Sequence, residues 1–248
     1  MTPPSRNGLS TIEEVIADAK AGKLFILVDD EDRENEGDLC VIGEYATADA
    51  INFMAKYGRG LICLALTRIR TEQLGLTMME RRNESRHETA FTISIEAREG
   101  VTTGISAADR ALTIKTAIDP NCGERDITTP GHIFPLIARD GGTLVRAGHT
   151  EAVVDIARAC GSGHPSGVIC EIMKDDGEMA RLPELIGFAK EHDLKIASIA
   201  DLIAWRRRNE SLVQRTVESA ITTRIGGEWR MVIYANTVSS IEHIALVK

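Results

Sequence analysis

Long apolar runs are missing from this 248-residue chain. No stretch approaches the ~18 residues that a membrane-spanning helix requires, so no span is expected. Paired cysteines are missing as well. Cys40, Cys63, Cys122, Cys160 and Cys170 are odd in number and scattered, with no CxxC among them. That argues against a structural zinc knuckle and fits reduced thiols in a cytoplasm. Aromatic residues make up only 4%, and the isoelectric point is near 5.4. With no basic stripe carrying interleaved aromatics, nucleic acid is not an expected partner. Met1-Thr2-Pro3-Pro4-Ser5 lacks the charged-then-apolar pattern of a signal peptide. No internal repeat of about 20–50 residues is visible, which argues against a solenoid.

What is present is a large apolar fraction, 43%, enough for a sizeable core in one domain or one domain with an appendage. Acidity is concentrated in one place. Asp29-Asp30-Glu31-Asp32-Arg33-Glu34-Asn35-Glu36-Gly37-Asp38 carries seven acids and one base, about −6 of the formal −8. Leu24–Val28 precedes it and Leu39–Ile42 follows, and both read as buried strands. A loop pinned between core strands forces its carboxylates together. The readings are a solvated turn or a site where a divalent cation such as Mg²⁺ or Mn²⁺ neutralises them. Gly37 is expected to let the chain turn tightly.

Strand-like runs alternate with helical segments through the rest of the chain. Ser10-Thr11-Ile12-Glu13 reads as a capping box, and Thr47 as the cap of a helix to about Tyr57. Leu61–Leu66 reads as a buried strand, residues 68–76 as a short helix, and Met78–Glu88 as a polar, mobile loop. Phe91–Ile95 alternates as a strand. Ser106 with Asp109 forms a second capping box ahead of a helix to about Ile118. Further helices are expected over 151–160, from Pro183 to about His192, and from Ser198 to about Arg208, with strands at Val168–Ile172 and Leu194–Ala197. The pattern predicts an α/β fold, a mixed sheet flanked by helices.

Certain polar residues stand out against this pattern. Thr102-Thr103-Gly104-Ile105-Ser106 precedes a helix start, which makes either an anion-binding pocket or an ordinary cap. His132 lies at the mouth of a short strand between Pro130 and Pro135, where a structural role is the commoner one. Arg146-Ala147-Gly148-His149-Thr150 is denser than a cap requires. Arg146 can pair with phosphate, Gly148 allows close backbone approach, Thr150 can cap the following helix, and His149 can ligate a metal. Glu171 sits inside an apolar strand, so it is either paired or functional, and a carboxylate there suits acid–base work.

Taken together, DDEDRENEGD, TTGISAADR, PGHIFPL, RAGHTEA and Cys170-Glu171 resemble the 3,4-dihydroxy-2-butanone 4-phosphate synthase family, in that family's order, over about residues 9–206. The resemblance implies conversion of D-ribulose 5-phosphate to the four-carbon phosphate and formate in riboflavin biosynthesis. It implies two Mg²⁺ or Mn²⁺ ions per site, no organic cofactor, and a homodimer with active sites at the interface. Carried over, Arg33, Glu34 and Asp38 contact substrate, and Glu34 and His149 ligate metal. Arg146, Ala147, Gly148, His149 and Thr150 hold the phosphate end. His132 and Glu171 match positions essential for catalysis, and Cys63 and Thr103 line the pocket. A non-catalytic metal- or phosphate-binding module on the same fold is the alternative.

The synthase domain is expected over 1–208 and a short β-rich tail over 209–248. Gly226-Gly227 reads as a hairpin turn, with Trp229, Met231 and Ile233 on one face of the next strand. The tail resembles the first strands of GTP cyclohydrolase II, truncated or vestigial, and lacks that module's closely spaced cysteines.

Overall fold

The computed structural model describes residues 8–80, 89–238 and 241–248. Most of the polar loop expected over Met78–Glu88, including Arg86, His87 and Glu88, lies outside them. In order, the chain forms α1 (Ile12–Lys20), β1 (Phe25–Val28), β2 (Gly37–Ile42), α2 (Ala48–Phe53), β3 (Cys63–Thr67), α3 (Arg68–Gln73) and β4 (Ile95–Ala97). It continues through α4 (Ala107–Ile118), β5 (Ile127–Ala138), α5 (His149–Ala159), β6 (Ser166–Glu171), α6 (Leu182–Glu191), β7 (Lys195–Ser198) and α7 (Ile199–Asn209). Last come β8 (Val213–Thr223), β9 (Gly227–Asn236) and β10 (Glu242–Val247). Two compact units result, Met1–Leu202 and Ile203–Lys248, divided within α7.

The first unit holds a mixed seven-stranded sheet in the order β4-β5-β3-β6-β2-β1-β7. β1 runs parallel to β7 and β3 parallel to β5, and the other pairs are antiparallel. β1 and β2 are buried at every residue, as expected for strands covered on both faces. The apolar runs Phe25–Val28 and Leu39–Ile42 made them legible; Gly37 and Asp38, expected in the loop, are the first residues of β2. The register brings three polar positions to one end of the sheet. Asp38 near the start of β2 stands opposite Glu171 at the end of β6, and Cys63 at the start of β3 stands opposite Ile169.

Local details depart from expectation for identifiable reasons. The first capping box is shifted by one residue: Thr11 Oγ1 accepts from the Glu14 N–H at 3.2 Å, and Glu14 Oε2 accepts from the Thr11 N–H at 2.8 Å. Phe91 and Thr92 make only isolated bridges, and β4 starts at Ile95. The Thr92 N–H donates to Pro135 O at 3.0 Å, but Pro135 has no N–H to return, so the ladder stops. β5 is longer than expected, so His132 sits in mid-strand. Gly37 makes no tight turn; a Cβ there would stand 2.5 Å from Leu185 Cδ1 of α6. The turn is made at Asn35, with φ 56.

The second unit is a three-stranded antiparallel sheet, β10-β9-β8. β8 and β9 meet through the Gly226-Gly227 turn, both glycines having positive φ. Its most buried residue is Val232, on the face opposite Trp229, Met231 and Ile233. Among the described residues, no helix is long and apolar enough to cross a membrane.

Candidate active site

The acidic run divides into a solvated tip and a built base. Asp30, Glu31 and Asp32 are exposed. Asp29 is not: its side chain is 1% exposed. Its Oδ2 accepts from Arg33 Nη1 at 2.7 Å and from the Glu34 N–H at 3.1 Å, and its Oδ1 from the Glu36 N–H at 2.8 Å. From outside, Arg181 at the N-terminus of α6 donates to the Glu34 carbonyl at 2.9 Å and to the Asn35 carbonyl. The loop is thus braced by one carboxylate and one guanidinium, and Glu34 and Glu36 reach the cavity beside it.

That cavity has a volume of about 140 Å³ and is lined by Arg33, Glu34, Glu36, Asp38, Cys63, Arg146, His149, Thr150 and Glu171, with Thr89, Phe91, Leu136 and Ile169 completing the wall. Larger cavities lie elsewhere. One of about 650 Å³ sits beside Tyr57, Phe188 and His192. Two of its cations are paired, Arg59 with Asp175 at 2.9 Å and Lys174 with Asp176 at 3.1 Å. Size does not locate the chemistry here; convergence of buried polar groups does.

α5 supplies the cationic wall. Two of its acids are buried and hold the preceding turn. Glu151 accepts from the Arg139 N–H at 2.9 Å and from Arg146 Nη1 at 2.7 Å, and Asp155 from the Thr143 N–H at 2.7 Å. Arg146 also donates to Thr89 Oγ1 at 3.1 Å. Gly148 is there for space: a Cβ would lie 2.3 Å from Arg146 Nη1. Gly148, not Thr150, occupies the cap position, and no side chain caps the helix. The sequence had placed the cap two residues late because threonine is the stronger capping type. His149 and Thr150 therefore lie in the first turn, where the free N–H groups and helix dipole favour an anion.

His149 is 5% exposed, and its Nε2 has no hydrogen-bond partner. Nδ1 faces Glu34 Oε2 at 3.8 Å and Asp38 Oδ1 at 3.9 Å, distances of ionic contact rather than hydrogen bonding. Burial works against the imidazolium, but the Asp38, Glu34 and Asp29 carboxylates outweigh it and raise His149 to about 9. Burial likewise opposes charge on Glu34, yet His149 and Arg33 hold it down at about 2. Burial pushes Asp38 up to about 7, with His149 pulling the other way and Glu171, Glu34 and Glu36 reinforcing the rise. Burial pushes the Cys63 thiol well up, so it lines the pocket as a neutral group. Glu171 Oε2 accepts from the Leu61 N–H at 2.8 Å, and a Cβ at Gly60 would lie 2.5 Å from that oxygen.

Asp29, Glu34 and His149 offer ligand atoms within 4.8 Å of one another. Asp29 is committed to the loop, which leaves Glu34 and His149 as the pair with capacity for an ion. The Nδ1 edge of His149 faces the Glu34 and Asp38 carboxylates across 3.8 and 3.9 Å, a spacing that fits a divalent cation between them, with Arg33 Nη1 donating to Glu34 Oε2 from the side.

Thr103, His132, Ala147 and Gly148 do not line the cavity. Thr103 is exposed in a loop knotted by Asp109, whose carboxylate accepts from the Thr102 and Gly104 N–H groups at 3.1 and 3.0 Å. Ser106 does accept from the Asp109 N–H at 3.0 Å, so only half of the second capping box forms. His132, on β5, contacts Glu96 of β4 instead, Nδ1 to Oε2 at 2.6 Å.

A sequence profile of 3,4-dihydroxy-2-butanone 4-phosphate synthase matches residues 13–205. The chain belongs to the 3,4-dihydroxy-2-butanone 4-phosphate synthase family. A family member from Neisseria meningitidis serogroup B is 54% identical over 240 residues, covering 97% of this chain and 66% of the relative. The chain thus spans just under two-thirds of that relative's length. Among solved structures, a two-domain synthase from A. baumannii is 48% identical with a TM-score of 0.85, covering 96% of this chain and 70% of the other. A synthase in complex with two magnesium ions is 38% identical with a TM-score of 0.77, covering 82% of this chain and 99% of the other.

Within this family fold, sequence reading overlooked Asp29 as the loop's internal brace, Arg181 as its outer one, and Glu96. For Glu96 a signal existed: an acid between Ile95 and Ala97, the same cue that singled out Glu171. Three residues were too few to read as a strand.

Proposed function

We propose that the chain converts D-ribulose 5-phosphate to 3,4-dihydroxy-2-butanone 4-phosphate and formate, using Mg²⁺ or Mn²⁺ held by Glu34 and His149, two ions per site. The observation that carries this reading is the convergence of Glu34, Asp38, His149 and Glu171 in one cavity beside Arg146 and the uncapped start of α5. The five-carbon phosphate divides into a four-carbon phosphate and formate with atoms balanced and no external oxidant. Family membership supports the reaction, and the magnesium-bound relative supports the metal.

Each part of the cavity has a task. Arg146 and the first turn of α5 take the phosphate, at charge-assisted strength. Arg33, Glu34 and Asp38 meet the sugar hydroxyls. Asp38, with its carboxyl raised to about 7, can take or return a proton near neutrality, and Glu171 is placed opposite it for the second transfer. Glu34 and His149 would hold the divalent ion, which when bound would supply electrostatic stabilisation of negative charge on the ketone oxygen.

His132 and Thr103 enter this reading through a second copy of the chain. We infer a homodimer in which each copy lends them to the other's cavity. Exposed Leu61, Ile105 and Val145 support it, because each neighbours a residue assigned to the site and apolar exposure of that kind marks contact surfaces. The assignment also includes a cytoplasmic location, supported by the free cysteines, and a synthase portion over 1–208 followed by the start of a second module.

The test is incubation with ribulose 5-phosphate labelled at C4 and Mg²⁺, followed by carbon NMR. Labelled formate is expected. Metal binding without formate would favour the non-catalytic module instead.

A further inference from the structure

We propose that Glu96 is a positioning residue: it fixes the His132 ring so that Nε2 is the atom presented for proton transfer. This rests on the reading of His132 as a catalytic group. The His132 side chain is 43% exposed, whereas that of Glu96 is 11% exposed, so the carboxylate forms the buried, fixed end of the pair. Two segments outside β4 and β5 close around that carboxylate. The Thr113 hydroxyl of α4 donates to Oε1 at 3.2 Å and itself accepts from the Ala97 N–H at 3.0 Å. Gly104, with φ +87, lies so close that a Cβ would stand 2.1 Å from Oε2. Gly104 is held there independently, through its N–H bond to Asp109.

A nearly buried carboxylate with this much support is costly to build. Among the described residues, its one hydrogen bond to a solvent-facing side chain is the 2.6 Å bond to His132 Nδ1. An ionised glutamate only accepts, so Nδ1 carries the proton and Nε2 of the neutral ring keeps its lone pair. The bond also restrains the ring's side-chain torsions. Removing the carboxylate that orients a metal-bound histidine costs about 10–100-fold, and a loss of that order is expected for a catalytic ring held in the same way.

The experiment uses the full chain with Mg²⁺. Glu96→Gln, which is isosteric, and Glu96→Asp, which keeps the charge, are compared with wild type by steady-state kinetics and by nitrogen NMR of ¹⁵N-histidine protein. His132→Asn assigns the His132 signals. The proton of neutral His132 is expected on Nδ1 in wild type. Glu96→Gln should abolish that preference and lower kcat about 10–100-fold with KM nearly unchanged, and Glu96→Asp should recover part of both. A wild-type proton on Nε2 overturns the proposal, as does Glu96→Gln with both tautomer and kcat unchanged. If Glu96→Gln fails to fold, the wild-type tautomer and Glu96→Asp still decide. Full activity in His132→Asn would instead remove the catalytic reading of His132, while the tautomer data would still decide whether Glu96 sets the ring.

Discussion

Two histidine–carboxylate contacts, one at the start of α5 and one between β4 and β5, are built for different ends. His149 is buried, surrounded by Glu34 and Asp38 at 3.8 and 3.9 Å, and bonded to neither. His132 is solvent-facing and bonded to one glutamate at 2.6 Å. The first arrangement keeps opposite charges close but unbridged, which stores capacity for an ion. The second spends its carboxylate on fixing a ring, which prepares a proton donor or acceptor. A histidine beside an acid is thus not one motif but two, separated by distance and burial.

If the His149 side is an ion site, chelation should have the largest effect. EDTA is expected to abolish turnover and excess Mg²⁺ or Mn²⁺ to restore it; full activity in chelator would break the comparison at its root. Next in size, Glu171→Gln should fold normally and lose at least ~10²-fold in rate, the scale of general acid–base catalysis. A folded variant with near-normal rate would leave Glu171 as a mere acceptor for the Leu61 N–H. Arg146→Ala should weaken substrate binding by about 1.5–3 kcal/mol, the worth of a charge-assisted bond to phosphate. An unchanged KM would move the phosphate elsewhere.

A smaller, pH-dependent effect sharpens the same contrast. His149 is raised to about 9 without metal, and a metal takes only the deprotonated ring. Binding below pH 9 must therefore release a proton. Affinity should strengthen as pH rises, by up to about tenfold per unit, and level off above pH 9. Calorimetry in two buffers of different ionisation enthalpy reads the proton count, expected near one at pH 7; a count of zero contradicts the assignment. Smallest of all, a chain ending at Glu210, which keeps the Arg206–Glu210 pair, should retain its activity. A large loss would show that the tail belongs to the synthase architecture.

The sequence made the pocket half of this comparison readable and, of the other half, showed His132 but not Glu96. β1 and the Leu39–Ile42 part of β2 were legible because each is an unbroken apolar run, and their bracketing of the acids left a solvated turn or a cation site as the readings. Arg146 through Thr150 was legible because so many special residue types crowd one helix start. Nothing local reveals that β1 pairs with β7, whose partners Phe25 and Lys195 are far apart in the chain. Nor does residue type tell which acid braces and which reaches the pocket. Asp29 and Glu34 look alike in sequence, and only the backbone N–H groups that converge on Asp29 separate them. Glu96 escaped for a related reason: its meaning lies in His132, Thr113 and Gly104, which come from three other segments.

The claim that joins the two regions is that they are halves of one site contributed by two copies. Mixing Glu171→Gln chains with His132→Asn chains tests it directly, after denaturation and refolding to allow exchange. Each variant alone should be nearly inactive. Half of the mixed dimers should be heterodimers with one intact site of two, giving about a quarter of wild-type activity. Activity that stays at the level of the separate variants would contradict the shared site.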